Sequence, residues 1–134
     1  MNKVMLDTNI CIYLIKNRPL EVREKFNQYE VGKITISSIS VSELYYGVEK
    51  SQHVEKNRQA LALFLAPLNI LDYDEKASIS YGHVRSTLQA KGTVLGSLDM
   101  LIAAHAKSLN ITLITNNTKE FIRVDALKLE NWIS

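Results

Sequence analysis

The residues of this 134-residue chain best suited to chemistry are four acids and the short polar motifs around them. Asp7 ends the apolar run Val4-Met5-Leu6 and opens Asp7-Thr8-Asn9. Glu43 lies in Ser40-Val41-Ser42-Glu43-Leu44, just past the β-like run Ile34-Thr35-Ile36. Asp99 stands in Gly96-Ser97-Leu98-Asp99, immediately ahead of a helical segment from Met100 to Ala106. Glu120 closes the cluster Thr115-Asn116-Asn117-Thr118-Lys119-Glu120, which follows the apolar run Ile111 to Ile114. Three of the four sites follow a predicted strand, and the fourth opens a helix. In a parallel α/β sheet, strand ends and helix starts converge on one edge, where ligands bind. Carboxylates gathered there repel one another, and a hard divalent cation relieves that repulsion. The donors on offer are oxygens, which favours magnesium or manganese. No Cys/His spacing suggests zinc, and the five glycines are scattered rather than grouped in a phosphate loop.

Each acid also has a structural explanation. Ser40 and Glu43 fit an S-x-x-E capping box, with Glu43 bonding back to the backbone N–H of Ser40. Asp7 would cap a helix beginning near Asn9. Asp99 would sit in a first helical turn for a dipole benefit of about 0.3–1 kcal/mol. Asn116 and Asn117 suit a turn, and Glu120 would be solvated. A cap, however, does not require the caps of several separate elements to share an edge. Asp7 is the most specific of the four, because an acid ending the first strand lands near the middle of many α/β sheets. The histidines are weaker candidates: His105 lies six residues past Asp99, off its helical face, and His53 and His83 lie in helical, polar surroundings.

The elements that must position these residues alternate between strand and helix without a linker. Strands are expected at Lys3–Leu6, Ile34–Ser37, Asn69–Tyr73 and Ile111–Thr115, with a short last one at Leu127–Leu129. Helices are expected over Ile10–Lys16, Leu20–Gln28, from a cap at Ser40 to about Lys50, Val54–Ala66, Asp74–Ala90, from Asp99 to near Leu109, and briefly over Lys119–Ile122. Pro19 suits the first turn of the second helix, Gly92 suits a position just past a helix end, and Trp132 is expected to pack the C-terminus down. The alternation predicts an α/β fold of one domain, residues 1–134, with a central, mostly parallel sheet flanked by helices. The hydrophobic fraction of 46% and charged fraction of 22% are ordinary for a soluble domain. A net charge of +2 neither requires nor excludes a nucleic-acid partner. Cys11 is the single cysteine, so no internal disulfide is possible. Asp7 interrupts the first apolar stretch too early for a signal peptide, and a cytoplasmic location is expected.

The motifs together resemble those of PIN-domain ribonucleases. Met5-Leu6-Asp7-Thr8-Asn9 is similar to the family's opening motif. Ser37 to Gly47, containing Glu43, resembles its second acidic motif, Gly96 to Ala106 its third, and Thr115 to Phe121 its fourth. The set covers nearly the whole chain and most resembles the VapC toxins of bacterial type II toxin–antitoxin systems. The resemblance implies a PIN-like fold and an Mg²⁺- or Mn²⁺-dependent endoribonuclease, held inactive by a VapB-type antitoxin. It assigns Asp7, Glu43 and Asp99 as catalytic, metal-binding acids. Thr8, Asn9 and Thr115 are then donors that hold the acids in place. Many PIN domains carry a fourth acid where this chain has Asn117, a neutral ligand, and Glu120 one turn on would supply the missing charge. Val94, where many relatives have proline, should affect only its loop. The resemblance further implies a homodimer and an RNA substrate, with a structured tRNA as the first expectation. Lys16, Arg18, Arg85 and Lys91 are candidate contacts to the RNA backbone. A metal-dependent phosphatase or DNA nuclease on the same edge, and a non-catalytic assembly module whose acids are only caps, are the alternatives.

Overall fold

A computed structural model describes residues 2–133. Its elements run β1 (Val4–Leu6), α1 (Thr8–Lys16), α2 (Leu20–Asn27), a 3₁₀ turn (Val31–Lys33), β2 (Ile34–Ser37), α3 (Ser38–Glu49), α4 (Val54–Leu65), β3 (Asn69–Leu71), α5 (Glu75–Lys91), α6 (Ser97–Leu109), β4 (Thr112–Ile114), α7 (Thr118–Phe121) and β5 (Leu129–Glu130). The strands form one sheet in the order β3-β2-β1-β4-β5, and every neighbouring pair is parallel. β1 is the central strand: Val4, Met5 and Leu6 pair with Ile34, Thr35 and Ile36 on one side and with Thr112, Leu113 and Ile114 on the other. The strand order reverses between β1 and β4, which makes that junction the topological switch point.

The inner strands are apolar because helices cover both faces of the sheet. All three residues of β1 and all four of β2 are buried. Alternate side chains point to opposite faces. Val4, Leu6, Ile34, Ile36 and Ile114 join the core under α1 to α4, while Met5 and Leu113 join the core under α5 and α6. Thr35 is tolerated inside because its hydroxyl donates to the Val4 carbonyl at 2.8 Å. Trp132 is buried in the first core and tilts against Tyr29, so the C-terminus is pinned as expected. Among the described residues no helix is long and apolar enough to cross a membrane.

Helix starts differ from the sequence expectation where capping decides them. α1 begins at Thr8 rather than Ile10, because the Asp7 carboxylate accepts from the Ile10 backbone N–H at 2.9 Å. α3 begins at Ser38, and its cap is Ser37, whose hydroxyl accepts from the Ile39 N–H. Ser40 lies inside the helix, and its buried hydroxyl has no protein partner. The Ser40–Glu43 capping box is therefore not formed. Gly92 closes α5 in a left-handed conformation, φ 70°, as its position suggested. Pro19 precedes α2 as its cap residue rather than entering the first turn, and β5 begins two residues later than expected and ends one later.

Candidate active site

The C-terminal edge of β1 and β4 carries the first part of the site. Asp7 follows β1 directly and is only 5% exposed. It is a helix cap, as the structural reading held, but its carboxyl is pushed up from 3.8 to about 6. Burial is the main cause; interaction with the Thr115 hydroxyl and the Ile10 N–H opposes it, and the charges of Asp99 and Glu43 add to it. Thr115 follows β4 across the switch point and is fully buried. Its hydroxyl accepts from the Asn117 N–H at 2.9 Å, so the strand end and the next turn are held together beside Asp7.

Two helices bring further acids toward this edge. Glu43 lies in the second turn of α3, and its Oε1 accepts from the Thr8 hydroxyl at 2.7 Å. Thr8 is the first residue of α1, so one bond fixes the acid of α3 to the start of the helix that Asp7 caps. Asp99 lies in the first turn of α6. Its carboxyl is also raised, first by burial and then by the charges of Glu43 and Glu120. The charges that perturb Asp7 and Asp99 thus come from α3, α6 and α7. These four acids share one electrostatic neighbourhood. Glu120 in α7 accepts from the Asn117 side-chain amide at 3.1 Å. Asn117 consequently presents its nitrogen to Glu120, and the two residues act as a unit. Asn9 is exposed, and its side chain takes no part in the hydrogen bonds that fix the acids.

The donor set suits a hard cation. All four acids offer oxygen, no lysine or arginine contributes to the shifts of Asp7 or Asp99, and mutual repulsion accompanies burial. Among the described residues no three Asp, Glu, His or Cys side chains are close enough to form a ready-made metal cage. A cation that keeps several of its waters and takes one or two carboxylates directly fits such a spacing better than a dehydrated one. Divalent-metal dependence is general among PIN-domain ribonucleases.

His105 is outside this set. It is buried, its Nδ1 lies 2.8 Å from the Ser37 hydroxyl, and Tyr73 packs edge-on against it. Burial holds it below the usual imidazole range, so it is a packed neutral histidine. His53 precedes α4 rather than lying within it. Of the basic candidates, Lys91 is paired with Asp125 at 2.8 Å, and Arg85 donates to the Tyr81 hydroxyl. Sequence reasoning missed the Thr8–Glu43 bond and the Asn117–Glu120 bond. Only the proximity of Thr8 to Asp7 and the three-residue spacing of 117 and 120 hinted at them.

A cleft of about 420 Å³ opens next to Glu43, between α1, α3 and α4. Its walls include Ile12, Ile15, Leu44, Val48 and Leu61.

The PIN-domain family model matches residues 4–127. Over 99% of its length the chain is 50% identical to the whole of ribonuclease VapC2 from Haemophilus influenzae. It is 47% identical to the tRNA(fMet)-specific endonuclease VapC of Shigella flexneri, over 98% of this chain and 99% of that protein. Among solved structures, DNA-bound VapBC from Salmonella typhimurium superposes with a TM-score of 0.93 at 45% identity, covering 98% of this chain and 99% of that one. VapBC2 from Rickettsia felis, bound to a promoter DNA fragment, gives 0.89 at 43% identity, with 96% and 98% covered.

Proposed function

The chain belongs to the PIN-domain family and, within it, to the VapC ribonucleases, and from that premise we propose that it is the toxin of a type II toxin–antitoxin module, an Mg²⁺-dependent endoribonuclease acting as a single domain in the cytoplasm. The observation that carries this reading is the buried Asp7 carboxyl at the switch point, raised to about 6 with Asp99 and Glu43 contributing. A purely structural cap gains nothing from such neighbours.

Asp7 and Asp99 would hold the divalent cation, Mg²⁺ or Mn²⁺, with Glu43 as a direct or water-bridged ligand. The chemistry supplied by a bound cation is activation of a water and stabilisation of charge on the phosphate. Thr8 keeps the Glu43 carboxylate in one rotamer, with the other oxygen free to orient the attacking water. Thr115 favours the charged form of Asp7, which is the form that binds a cation. Asn117 holds Glu120 at the rim, where Glu120 adds the fourth negative charge. Asn9, exposed beside Thr8, is left to contact substrate rather than to hold an acid.

The substrate we favour is a tRNA, since the Shigella flexneri relative is a tRNA(fMet)-specific endonuclease and single-stranded loops expose the bases that proteins read in RNA. The partner we favour is a VapB-type antitoxin, in keeping with the solved VapBC structures. Its helix would lie in the apolar cleft between α1, α3 and α4, which begins at Glu43. Its tail would then cross the acidic edge and set an Arg or Lys against Asp7 and Asp99. A toxin homodimer would complete the complex.

The test is cleavage by the purified chain of total tRNA, single-stranded DNA and a small phosphoester, with Mg²⁺ or with EDTA. Metal-dependent cutting of tRNA alone is expected, with fragment 5′ ends at one position. Turnover of DNA or of the phosphoester at a comparable rate would replace this reading with a general nuclease or a phosphatase.

A further inference from the structure

One helix face leading away from Glu43 is built for more than packing. Tyr46, Gly47 and Lys50 lie three, four and seven residues after Glu43, so the four form one stripe along α3 and its end. Tyr46 is 67% exposed, although a tyrosine ring normally hides much of its apolar surface. Lys50 Nζ stands 5.1 Å from the ring centroid, a cation held at an aromatic face. Gly47, inside the helix, would meet nothing within 4 Å if it carried a Cβ. Intramolecular packing therefore does not explain a glycine there, although glycine costs about 1 kcal/mol relative to alanine in a helix interior. Glu43, Gly47 and Lys50 also border the apolar cleft described above, whereas Tyr46 is not part of its lining and stands on the open surface beside it.

We propose that Tyr46 is a stacking platform for one nucleobase of the RNA, and that Lys50 receives the adjoining phosphate. The inference rests on the ribonuclease reading above and specifies how that substrate is held. Tyr46 lies about 4.5 Å further along the helix axis than Glu43, from the 1.5 Å rise per residue. A nucleotide next to the scissile phosphate is thus within reach of the ring. A ring with a cation at its face matches the two halves of a nucleotide, the flat base and the anionic phosphate. A peptide partner offers no such pairing at regular intervals. Tyr45, the neighbouring tyrosine, is 39% exposed and falls outside the stripe, so it serves as an internal control.

The experiment uses the full chain carrying Asp7→Asn, so that RNA binds without being cut. A labelled tRNA anticodon stem-loop is titrated, alongside versions made abasic at one loop position at a time. Tyr46→Ala should weaken binding by about 5- to 150-fold, the range for losing one base stack. Tyr46→Phe should retain most of the affinity, Tyr46→Leu should not, and Tyr45→Ala should be nearly neutral. For one abasic RNA, wild-type Tyr46 and Tyr46→Ala should bind equally, because the stacked base is already gone. The proposal is overturned if Tyr46→Ala binds the intact loop normally, or if its deficit is the same for every abasic RNA. It is equally overturned if Tyr46→Ala impairs binding of the adjacent-frame antitoxin alone, which would make the ring a protein contact. If the unsubstituted chain neither cuts nor binds RNA, the ribonuclease reading fails first, and that outcome is seen before any Tyr46 variant is made.

Discussion

The Thr8 hydroxyl donates to Glu43 Oε1 across 2.7 Å, linking the first residue of α1 to the second turn of α3 over 35 positions of sequence. Thr8 also follows Asp7 directly, so two acids from different elements share one anchor. Thr8→Val should therefore cost about 0.5–1.5 kcal/mol of stability, the usual net value of a hydrogen bond. It should lower kcat by much more than that loss implies, because Glu43 becomes free to rotate. Thr8→Ser should restore both. The check pairs denaturant melts with initial rates on RNA. A Thr8→Val chain that loses stability but keeps its rate would make the bond structural only.

Asp7 makes the metal-free protein sensitive to pH. Its folded pKa, about 6, lies above the ordinary 3.8, so the folded state takes up a proton more readily than the unfolded state. Ionised Asp7 thus destabilises the fold above pH 6. The penalty fades as pH falls through 6 and is gone below about 4. The shift corresponds to about 3 kcal/mol at neutral pH. Without divalent metal, stability should rise between pH 7.5 and pH 5, and Asp7→Asn should flatten that rise and melt higher at pH 7.5. Mg²⁺ should raise the Tm of the unsubstituted chain more than that of Asp7→Asn. RNase activity should be abolished by the substitution. Equal metal-induced shifts in the two proteins would remove Asp7 from the metal site.

Glu43→Gln separates geometry from charge. A glutamine can still accept from Thr8, so stability should change little. The negative charge is lost, so cleavage should fall steeply and the Asp99 carboxyl should shift back down, since Glu43 is among the causes of its rise. A rate within about twofold of the unsubstituted chain, an effect under ~0.5 kcal/mol on the barrier, would leave Glu43 with no role beyond bonding Thr8.

The fold was readable from the sequence because its signals are local. Three- and four-residue apolar runs ended by Asp7, Ser37 and Thr115 read as inner strands, and Gly92 marked a helix end. What failed was an inference about which of two serines caps α3. Ser37 and Ser40 each stand near the helix start, and the S-x-x-E spacing favoured Ser40. Ser37 prevails because it ends β2, where the backbone is already extended, as a cap residue requires. The bond from Thr8 to Glu43 was invisible, because nothing local couples positions 8 and 43. It follows from the pairing of β1 with β2, which sets α1 and α3 side by side. The Asn117–Glu120 pair is local, but side-chain amides at turns have many possible partners, so spacing alone did not select it.

Asn117 and Glu120 should act together at the fourth position. Glu120→Gln removes a charge that raises the Asp99 carboxyl. It should increase the Mg²⁺ concentration needed for half-maximal rate. Asn117→Ala removes the amide that holds Glu120 at 3.1 Å, and should do the same to a smaller degree. The double variant should be no worse than Glu120→Gln alone, as expected for residues in one hydrogen-bonded unit. If Asn117→Ala shifts the metal dependence and Glu120→Gln does not, the neutral amide and not the acid is the working group.

The apolar cleft next to Glu43 should be separable from catalysis. Ile15 lines it from α1 and is 37% exposed, and it contributes to none of the hydrogen bonds that hold the acids. Ile15→Glu would place a charge where an apolar helix is to dock, and a buried unpaired charge is costly. Association with the antitoxin encoded by the adjacent reading frame should weaken by at least about tenfold, 1.4 kcal/mol. Cleavage of RNA by the free variant should remain normal. In cells this variant should be toxic even when the antitoxin is supplied. Co-purification and RNase assays on the same preparations check both halves. An Ile15→Glu chain that still binds and is still silenced places the antitoxin on another surface. One that binds while RNase activity continues at saturating Mg²⁺ shows that occupancy of the cleft does not mask the acids.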